Sequence, residues 1–526
     1  MDILFSTTSL PIEDNVLLKS FFIKNRLVSL SKIKGDFSFA LHHEKEDAYF
    51  CARDALGIKS LYFTKTEEGY KFSSKLSDLL NLPNIIKKPN LKSMKTMLYQ
   101  CMVDYTDTMY EGIYRIPPGY FMTIKDGKEH LERYWFPEKI KIDYTLTEEE
   151  AAKKLKELFS KAVDSTVTNL EETAFEVSGG LDSSSVVSLL SQKANPSTIE
   201  SYSMEFKELK CDEGEYVDSI LEQYSLHHQK IPVDKLDYHK KYALKNLYAI
   251  SPNWPITLTF AMILPMLEKM KNDGKNVVIT GQGGDHLFTG TPLVLYDLIR
   301  RLKLGIAYHE LRAYKKPWNA IKAYIIRPLI GEKAFVTLKK LLRKSSKETD
   351  PFMNDESDIE NLTQKIGILN PTFKYDLEMI TSLHYSTVLD GNIFHAAEDY
   401  FDIELRHPFF NKELVEFTLS LPPEMKYQKK TIKWIWRKAM DGILPDKIRD
   451  RKNKAEFSEV IRQQIDTIDL DTLLNNPYIV KLGLIEQSLI DKHRKEYEDK
   501  TAKHILILWT IINVEYWYRY NFEDLL

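Results

Sequence analysis

Residues 173–185 read TAFEVSGGLDSSS, and this stretch decides how the chain around it folds. Residues 173–177 form a short apolar run typical of a buried strand, and residues 183–192 continue as SSSVVSLLSQ, which we read as a helix. Gly179 and Gly180 between them allow the backbone to turn tightly. We therefore predict a strand, a glycine turn and the start of a helix in direct succession.

Strand and helix patterns alternate on the C-terminal side of this stretch. Because strands separated by helices need crossover connections, the alternation predicts a parallel sheet covered by helices on both faces. From about residue 290 onward the pattern is mainly helical. The predicted strands are 198–206, 227–233 and 276–280, and the predicted helices are 215–224 and 258–272.

The chain before residue 145 shows mainly strand patterns instead of alternating strand and helix patterns. Four short aromatic and β-branched runs, separated by polar turns, predict antiparallel strands; they are 36–43, 47–54, 59–65 and 70–74. Thr147 and Glu150 have the spacing of a helix capping box, which places the start of the second part near residue 145. We expect a sheet-rich α+β domain over residues 1–144 and an α/β domain with a helical extension over residues 145–526.

Composition and charge argue against a nucleic-acid-binding, membrane-spanning or disulfide-rich protein. Among 526 residues, 73 Lys and Arg face 76 Asp and Glu, so the net charge of −3 gives no reason to expect a nucleic-acid partner. The N-terminus lacks a basic stretch before an apolar run, and no apolar run approaches the roughly 20 residues of a membrane span. Three cysteines, Cys51, Cys101 and Cys211, form no disulfide framework or CxxC metal site. These features predict a cytoplasmic protein.

The first glycine loop, residues 178–185, has the chemistry of an anion site. Free backbone amides and the positive end of the dipole lie at the helix N-terminus, and the serine hydroxyls add donors. Asp182 would repel a phosphate unless a divalent cation lay between them, so its presence indicates Mg²⁺. A serine and glycine turn that merely caps a helix is the alternative.

A second glycine loop, Gly281-Gln282-Gly283-Gly284-Asp285-His286, follows the predicted strand 276–280. Ligands of open parallel sheets lie beyond the carboxyl ends of the strands. Two such loops, with Asp182 on one and Asp285 on the other, could hold a metal–pyrophosphate unit between them. Together they favour a nucleotide site.

The chain resembles the asparagine synthetase family of the ATP-pyrophosphatase superfamily. Residues 178–184 resemble its pyrophosphate loop, and further motifs follow in family order over nearly the whole chain. These motifs are 53–62 (RDALGIKSLY), 115–119 (RIPPG), 133–135 (RYW), 404–409 (ELRHPF) and the 444–457 segment from Leu-Pro to Phe.

The resemblance implies a fold, a cofactor pair and a set of ligands. It implies a degenerate Ntn-type glutaminase-like sandwich, followed by a synthetase domain that uses ATP and Mg²⁺, with Asp182 and Asp285 as metal ligands. The implied ATP and pyrophosphate ligands are Ser178, Gly179, Gly180, Leu181, Asp182, Ser183, Ser184, Gly281, Gly283 and Gly284.

Position 2 departs from the family pattern. Family members that hydrolyse glutamine have a nucleophilic cysteine there, whereas this sequence has Asp2, which cannot replace a thiolate. We therefore expect no ammonia from glutamine. The sequence around Gly281–Asp285 and the aromatic C-terminus are similar to those of lasso-peptide cyclases, which close a macrolactam in a ribosomal peptide. That resemblance implies a precursor peptide substrate, a leader peptidase and a leader-binding protein as partners.

Three side chains match catalytic positions of the family. Lys454 matches a lysine that stabilises negative charge in the transition states, although a solvated basic run is the alternative. Glu404 matches a glutamate that acts with a tyrosine as base in β-lactam synthetases, although an ion pair with Arg406 is equally compatible with the sequence. Tyr385, or alternatively Tyr400, would be the tyrosine partner.

Two other functions remain open from the sequence. One is an ammonia-dependent asparagine synthetase-like or β-lactam synthetase-like enzyme acting on a small molecule. The other is a catalytically dead scaffold, which the presence of Asp182, Asp285 and Lys454 disfavours. The sequence identifies neither the peptide, nor the ring size, nor whether the acceptor is Asp or Glu.

Overall fold

A computed structural model describes most of the chain. The described residues are 2–8, 30, 33, 35–99, 106–207, 209–233, 241–256, 260–330, 371–455, 457–499 and 505–523, with the backbone alone at 2–8, 245 and 381–393. No described helix combines the length and the apolar character needed to span a bilayer.

Two antiparallel sheets dominate the N-terminal part, as predicted from its short aromatic runs. Within the described residues, the larger sheet has the strand order β1-β2-β3-β7-β8 and the smaller one β5-β4-β6. The elements are β1 (Asp2–Thr8), β2 (Phe37–His43), β3 (Ala48–Arg53), β4 (Tyr62–Thr66), β5 (Gly69–Ser73), α1 (Leu76–Leu80), α2 (Leu91–Leu98), β6 (Ile113–Arg115), β7 (Tyr120–Lys125), β8 (Lys128–Arg133) and a 3₁₀ turn at Pro137–Lys139.

The two N-terminal sheets pack face to face. Cys51 and Met122 of the larger sheet share one buried hydrophobic cluster with Phe63 and Tyr70 of the smaller sheet. Alternate residues of the larger sheet, such as Phe50, point to its other face and join a cluster with the helix that follows. Because both faces of this sheet are covered, the N-terminal part packs directly against the rest of the chain.

The predicted parallel sheet is present. Its order is β11-β10-β9-β12-β13 over the described strands, and every pairing is parallel. The strands are β9 (Thr173–Glu176), β10 (Glu200–Glu205), β11 (His227–Pro232), β12 (Val277–Ile279) and β13 (Glu404–Arg406). The central position of β9 and β12 places both glycine loops at one edge, because each loop follows one of these strands.

Helices cover the parallel sheet and extend beyond it. The α-helices in the described C-terminal part are α3 (Glu148–Thr166), α4 (Leu181–Ser191), α5 (Gly214–Tyr224), α6 (Leu244–Ile250), α7 (Phe260–Asn272), α8 (Gly284–Phe288), α9 (Val294–Arg300), α10 (Leu304–Arg312), α11 (Pro317–Ile321), α12 (Arg327–Ile330), α13 (Pro371–Phe401), α14 (Lys412–Ser420), α15 (Pro423–Lys426), α16 (Trp434–Ala439), α17 (Asp446–Arg449), α18 (Ser458–Ile465), α19 (Leu470–Leu474), α20 (Tyr478–Lys481), α21 (Gln487–Glu498) and α22 (Ile505–Phe522). Short 3₁₀ turns occur at Pro196–Thr198 and Pro408–Phe410, and a π-turn at Lys322–Ile326.

Helix α3 begins with the predicted capping box. Thr147 accepts a hydrogen bond from the Glu150 backbone amide, and the Glu150 carboxylate accepts one from the Thr147 amide. The apolar side of α3, with Leu155 and Phe159, is buried in the cluster shared with the N-terminal sheet. This helix therefore begins the C-terminal part of the chain and connects it to the N-terminal sheet.

Candidate functional site

The first loop turns directly from β9 into α4. Gly179 has a φ of +70°, and a Cβ at this position would lie 2.8 Å from the Cβ of Tyr216, so only glycine fits. Gly180 is the N-cap residue of α4, and no described side chain caps the first amides of this helix. The Ser178 and Ser183 hydroxyls lie 2.9 Å apart across the turn. The loop is therefore a compact set of hydrogen-bond donors.

The second loop packs against the first. A Cβ on Gly281 would collide with the Ser183 backbone, and a Cβ on Gly284 would collide with the Asp182 carboxylate. These glycines allow the two loops to touch, which brings Asp182 within reach of Asp285. The structure thus brings the two predicted metal ligands together.

Two lysines contact these carboxylates: Lys433 lies between them, and Lys454 lies beside Asp285. Lys433 Nζ lies 2.5 Å from Oδ2 of Asp182 and 2.7 Å from Oδ1 of Asp285, and it is almost fully buried. Lys454 Nζ lies 2.5 Å from the other oxygen of Asp285. The two aspartates therefore share one ammonium, and Asp285 binds a second.

The surroundings shift the acidities of these groups in different directions. Burial raises the pKa of Asp182, and Lys433 offsets this only in part. Burial would also raise the pKa of Asp285, but Lys433 and Lys454 outweigh it and lower that pKa. Burial would lower the pKa of Lys433, whereas the two carboxylates raise it. Lys433 therefore stays protonated and positively charged. Of its two carboxylate partners, Asp285 has the stronger preference for the charged form.

This arrangement fits a magnesium ion. Oδ1 of Asp182 is buried and has no hydrogen-bond partner within the described part of the chain. Carboxylate oxygens are the ligands that Mg²⁺ takes in proteins, usually from one or two side chains together with substrate phosphates. The free Asp182 oxygen and the facing Asp285 are suited to that task.

A cavity of about 370 Å³ opens beside the two loops. Of the predicted site residues, those that line it are Ser178, Gly180, Leu181, Asp182, Ser183, Gly281, Asp285 and Lys454. Gly179, Gly283 and Gly284 shape the loops behind this surface. Ser184 is fully buried on the inner side of α4 and does not line the cavity, which argues against its predicted contact with phosphate.

Further basic side chains line this cavity and were not predicted from the sequence. Arg451 pairs with Glu213 at 2.5 Å and lies over the Tyr216 ring, which orders the segment that carries Lys454. Arg437 of α16 and Lys433 at its N-cap lie on the same side. Arg451 lies in the same basic run of the sequence as Lys454. The sequence around Lys433 and Arg437, in contrast, contains no motif that indicates a site.

Glu404 lies away from the loops. It is the first residue of β13 and pairs with Val277, the first residue of β12, so it occupies the end of the sheet opposite the loops. Its Oε2 accepts a hydrogen bond from Arg406 at 2.6 Å, and its Oε1 lies 3.4 Å from Lys59 Nζ. Glu404 does not line the cavity. The structure thus shows the ion pair with Arg406, the second of the two roles that the sequence left open.

Of the two tyrosines proposed as the partner of Glu404, only Tyr400 has a described side chain, and no hydrogen bond joins it to Glu404 within the described residues. The Tyr385 side chain lies outside the described residues. Tyr400 is 58 % exposed on α13. The hydroxyl partner of Glu404 therefore stays a prediction.

The N-terminal motif at residues 53–62 explains how Lys59 reaches Glu404. The Asp54 carboxylate accepts hydrogen bonds from the backbone amides of Leu56, Ile58 and Lys59, which closes a tight loop. Gly57 at the tip has a φ of +73°. The loop presents Lys59 to Glu404, so this motif forms a contact between the N-terminal and C-terminal parts of the chain.

Two family models and several known proteins match the chain in sequence. Residues 154–519 match the family model described as asparagine synthase, and residues 9–135 match the glutamine amidotransferase domain. The chain is 24% identical over 506 residues to the glutamine-hydrolyzing asparagine synthetase 3 of Bacillus subtilis, covering 89% of this chain and 76% of that protein. It is 22% identical to asparagine synthetase 1 of the same organism, covering 94% and 78%. Amidase chry2 of Gibberella zeae is 23% identical, covering 81% and 70%.

Proposed function

The chain belongs to the asparagine synthase family, and we propose that it closes a macrolactam within a ribosomal peptide, as lasso-peptide cyclases do. Family members are ATP-dependent, AMP-forming carbon–nitrogen ligases that use Mg²⁺, and this chain is such a ligase. The peptide specificity is the proposal. It rests on an active-site half that retains its acidic and basic groups, next to a glutaminase-like half with Asp2 at the position of the family's nucleophilic cysteine.

In the first step, an oxygen of an Asp or Glu side-chain carboxylate attacks the α-phosphorus of ATP. The bond from this phosphorus to the bridging oxygen breaks, and pyrophosphate leaves. The loop amides of residues 178–183 and the side chains of Lys433 and Lys454 would bind the phosphates and stabilise the charge that develops on them. Mg²⁺, held by Asp182 and Asp285, would neutralise phosphate charge.

In the second step, the freed α-amine of the core peptide attacks the activated carbonyl carbon. The bond from this carbon to the AMP oxygen breaks, AMP leaves, and the amine gives up a proton to water. Prefolding the peptide so that amine and acyl group meet supplies a proximity effect of up to roughly 7–11 kcal/mol. Lys454, which lines the cavity, would stabilise the departing AMP.

One observation favours an amine other than glutamine-derived ammonia: the first strand of the N-terminal sheets contains no cysteine. We propose that they are a degenerate Ntn-type sandwich. Strand β1 reads DILFSTT and contains no cysteine. Cys51 is fully buried, and burial raises the pKa of its thiol far above the ordinary value. A buried thiol of this kind is a poor nucleophile at neutral pH.

Peptide chemistry would involve further proteins. The α-amine of the core must be exposed before it can attack, so a leader peptidase and a leader-binding protein are the proposed partners. The sequence of the second loop, Gly281-Gln282-Gly283-Gly284-Asp285, supports the peptide reading because it resembles the lasso cyclases. A small-molecule reaction with free ammonia is the second candidate; the names of the Bacillus relatives, asparagine synthetases, favour its small-molecule substrate.

ATP–pyrophosphate exchange separates the two candidates. The purified protein is assayed with the peptide from a neighbouring precursor gene and, separately, with free aspartate plus ammonium. Exchange with the peptide alone, lost in Asp182→Ala, is expected. Exchange with aspartate alone would assign the small-molecule reaction. Exchange with neither, in the presence of the leader-binding protein, would contradict both ligase substrates.

A further inference from the structure

A carboxyl group lies inside the cavity beside the phosphate loops and takes no part in the steps above. Glu176 is the last residue of β9, two residues before Ser178, and it lines the same cavity as the loop. Within the described part of the chain, no hydrogen bond or ion pair joins the Glu176 side-chain carboxyl to another residue. A carboxyl at a cavity wall without a partner from the protein is available to a bound ligand.

The walls around Glu176 are apolar. By strand register, Glu176 shares one face of the parallel sheet with Met204, Val278 and Leu405. Helix α7 covers this face with Met262 and Met266, which also line the cavity. Burial in these surroundings raises the pKa of Glu176 to about 7.

The cavity therefore has two parts of different chemistry. The glycine loops, Lys433 and Lys454 form a polar part suited to phosphates, and the sheet face and α7 form an apolar part directly next to it. ATP has the same division, because its triphosphate is charged and its base is flat and largely apolar. Methionine side chains adapt well to flat aromatic rings. With the phosphates in the loops, the base would lie in the apolar part.

We propose that Glu176 recognises the adenine base of ATP by accepting a hydrogen bond from its exocyclic 6-amino group. This inference rests on the proposed binding of ATP in this cavity and adds a residue that selects the base. A carboxyl in an apolar pocket rejects a ligand that lacks the matching donor, because the group then stays buried and unpaired.

Direct nucleotide binding tests the proposal without any acyl substrate. Dissociation constants are measured by calorimetry, with Mg²⁺, for ATP and for purine riboside triphosphate, which differs from ATP only in lacking the 6-amino group. The wild-type protein is expected to bind ATP at least tenfold more tightly. Glu176→Leu is expected to bind the two nucleotides within about twofold of each other, and Glu176→Gln to keep part of the preference, because its amide oxygen still accepts.

Glu205→Gln is the matched control. Glu205 lies on the neighbouring strand β10, pairs with Lys207 at 3.2 Å and does not line the cavity, so its replacement should leave the preference at the wild-type value. If Glu176→Leu kept the wild-type preference for ATP over purine riboside triphosphate, the inference about Glu176 would be overturned, but the proposed nucleotide site would stand. No binding of ATP by the wild-type protein would overturn the proposed nucleotide site as well. Full base selectivity in Glu176→Leu with loss of amide formation would assign Glu176 to the attacking amine instead.

Discussion

The ammonium of Lys433 lies 2.5 Å from the Asp182 carboxylate, although 251 residues separate the two in the sequence. The same ammonium contacts Asp285, so one lysine is the common cation of both carboxylates. Mg²⁺ would serve these same two groups. If Mg²⁺ binds both carboxylates as proposed, we expect Lys433 to turn toward a phosphate oxygen of ATP.

Lys433→Met tests this exchange of cations. Without the ammonium, two carboxylates face each other in a poorly solvated place, and breaking such a buried pair costs about 3–5 kcal/mol. Thermal unfolding without metal is therefore expected at a lower temperature than in the wild-type protein, and Mg²⁺ is expected to raise it by more in the variant. Lys438→Met, on the same helix and paired with Glu148 and Glu149 at the surface, is the control. Equal Mg²⁺ shifts in the two variants would contradict the shared role.

Lys454→Ala is expected to impair catalysis and leave folding intact. The Lys454 side chain is 72 % exposed and contacts Asp285 from the open side of the cavity. Loss of one group that stabilises transition-state charge costs about 10²–10³-fold in kcat, and loss of an exposed ion pair costs at most about 1 kcal/mol of stability. The measurements are kcat for pyrophosphate exchange and thermal unfolding. Lys447→Ala is the control, because Lys447 pairs with Glu215 outside the cavity; similar kcat losses in both variants would contradict the assignment.

His407 gives a prediction about acid stability. Its ring lies 2.7 Å from the Thr280 hydroxyl next to the second loop, and burial lowers its pKa to about 4, with smaller effects of Glu398, His395 and Lys59. The unfolded chain, with an ordinary histidine pKa of about 6.5, then binds more protons between pH 6.5 and 4. The folded state therefore loses stability as the pH falls through this range, by at most about 3 kcal/mol from this group.

The free energy of unfolding, measured against denaturant at several pH values, checks this. His407→Gln keeps a polar partner for Thr280 but cannot take up a proton, so its stability should fall less steeply below pH 6.5 than that of the wild-type protein. The exposed His130→Gln variant controls for the loss of one histidine. Equal slopes in the wild-type protein and His407→Gln would contradict the prediction.

The sequence predicted the parts of the site that local pattern controls. Glycines after apolar strands located both loops and both aspartates, because tight turns and close backbone contacts restrict those positions to glycine. It missed Lys433, whose place depends on how α16 packs against the sheet. It also passed over Glu176 within a run read as a buried strand, since one polar residue at the end of a short strand does not show what faces it.

Glu404 shows that a sequence motif can identify a residue without predicting which residues it contacts. A family motif identified it, but its partners depend on strand order and on the contact with the N-terminal loop, and these bring it to Arg406 and Lys59. Burial would raise the pKa of Glu404, but the hydrogen bond from Arg406 and the charge of Lys59 lower it. A carboxylate with a lowered pKa is a weaker general base.

We therefore expect Glu404→Gln to reduce stability more than chemistry. Loss of the charge-assisted hydrogen bond from Arg406 and of the Lys59 contact should lower the free energy of unfolding by about 1–3 kcal/mol. Pyrophosphate exchange should be unchanged, and amide formation should fall by less than tenfold. Lys59→Met should lower stability too, and the double variant by less than the sum, since the two residues are in contact. Loss of amide formation by more than a hundredfold, with stability and exchange intact, would instead establish Glu404 as the base.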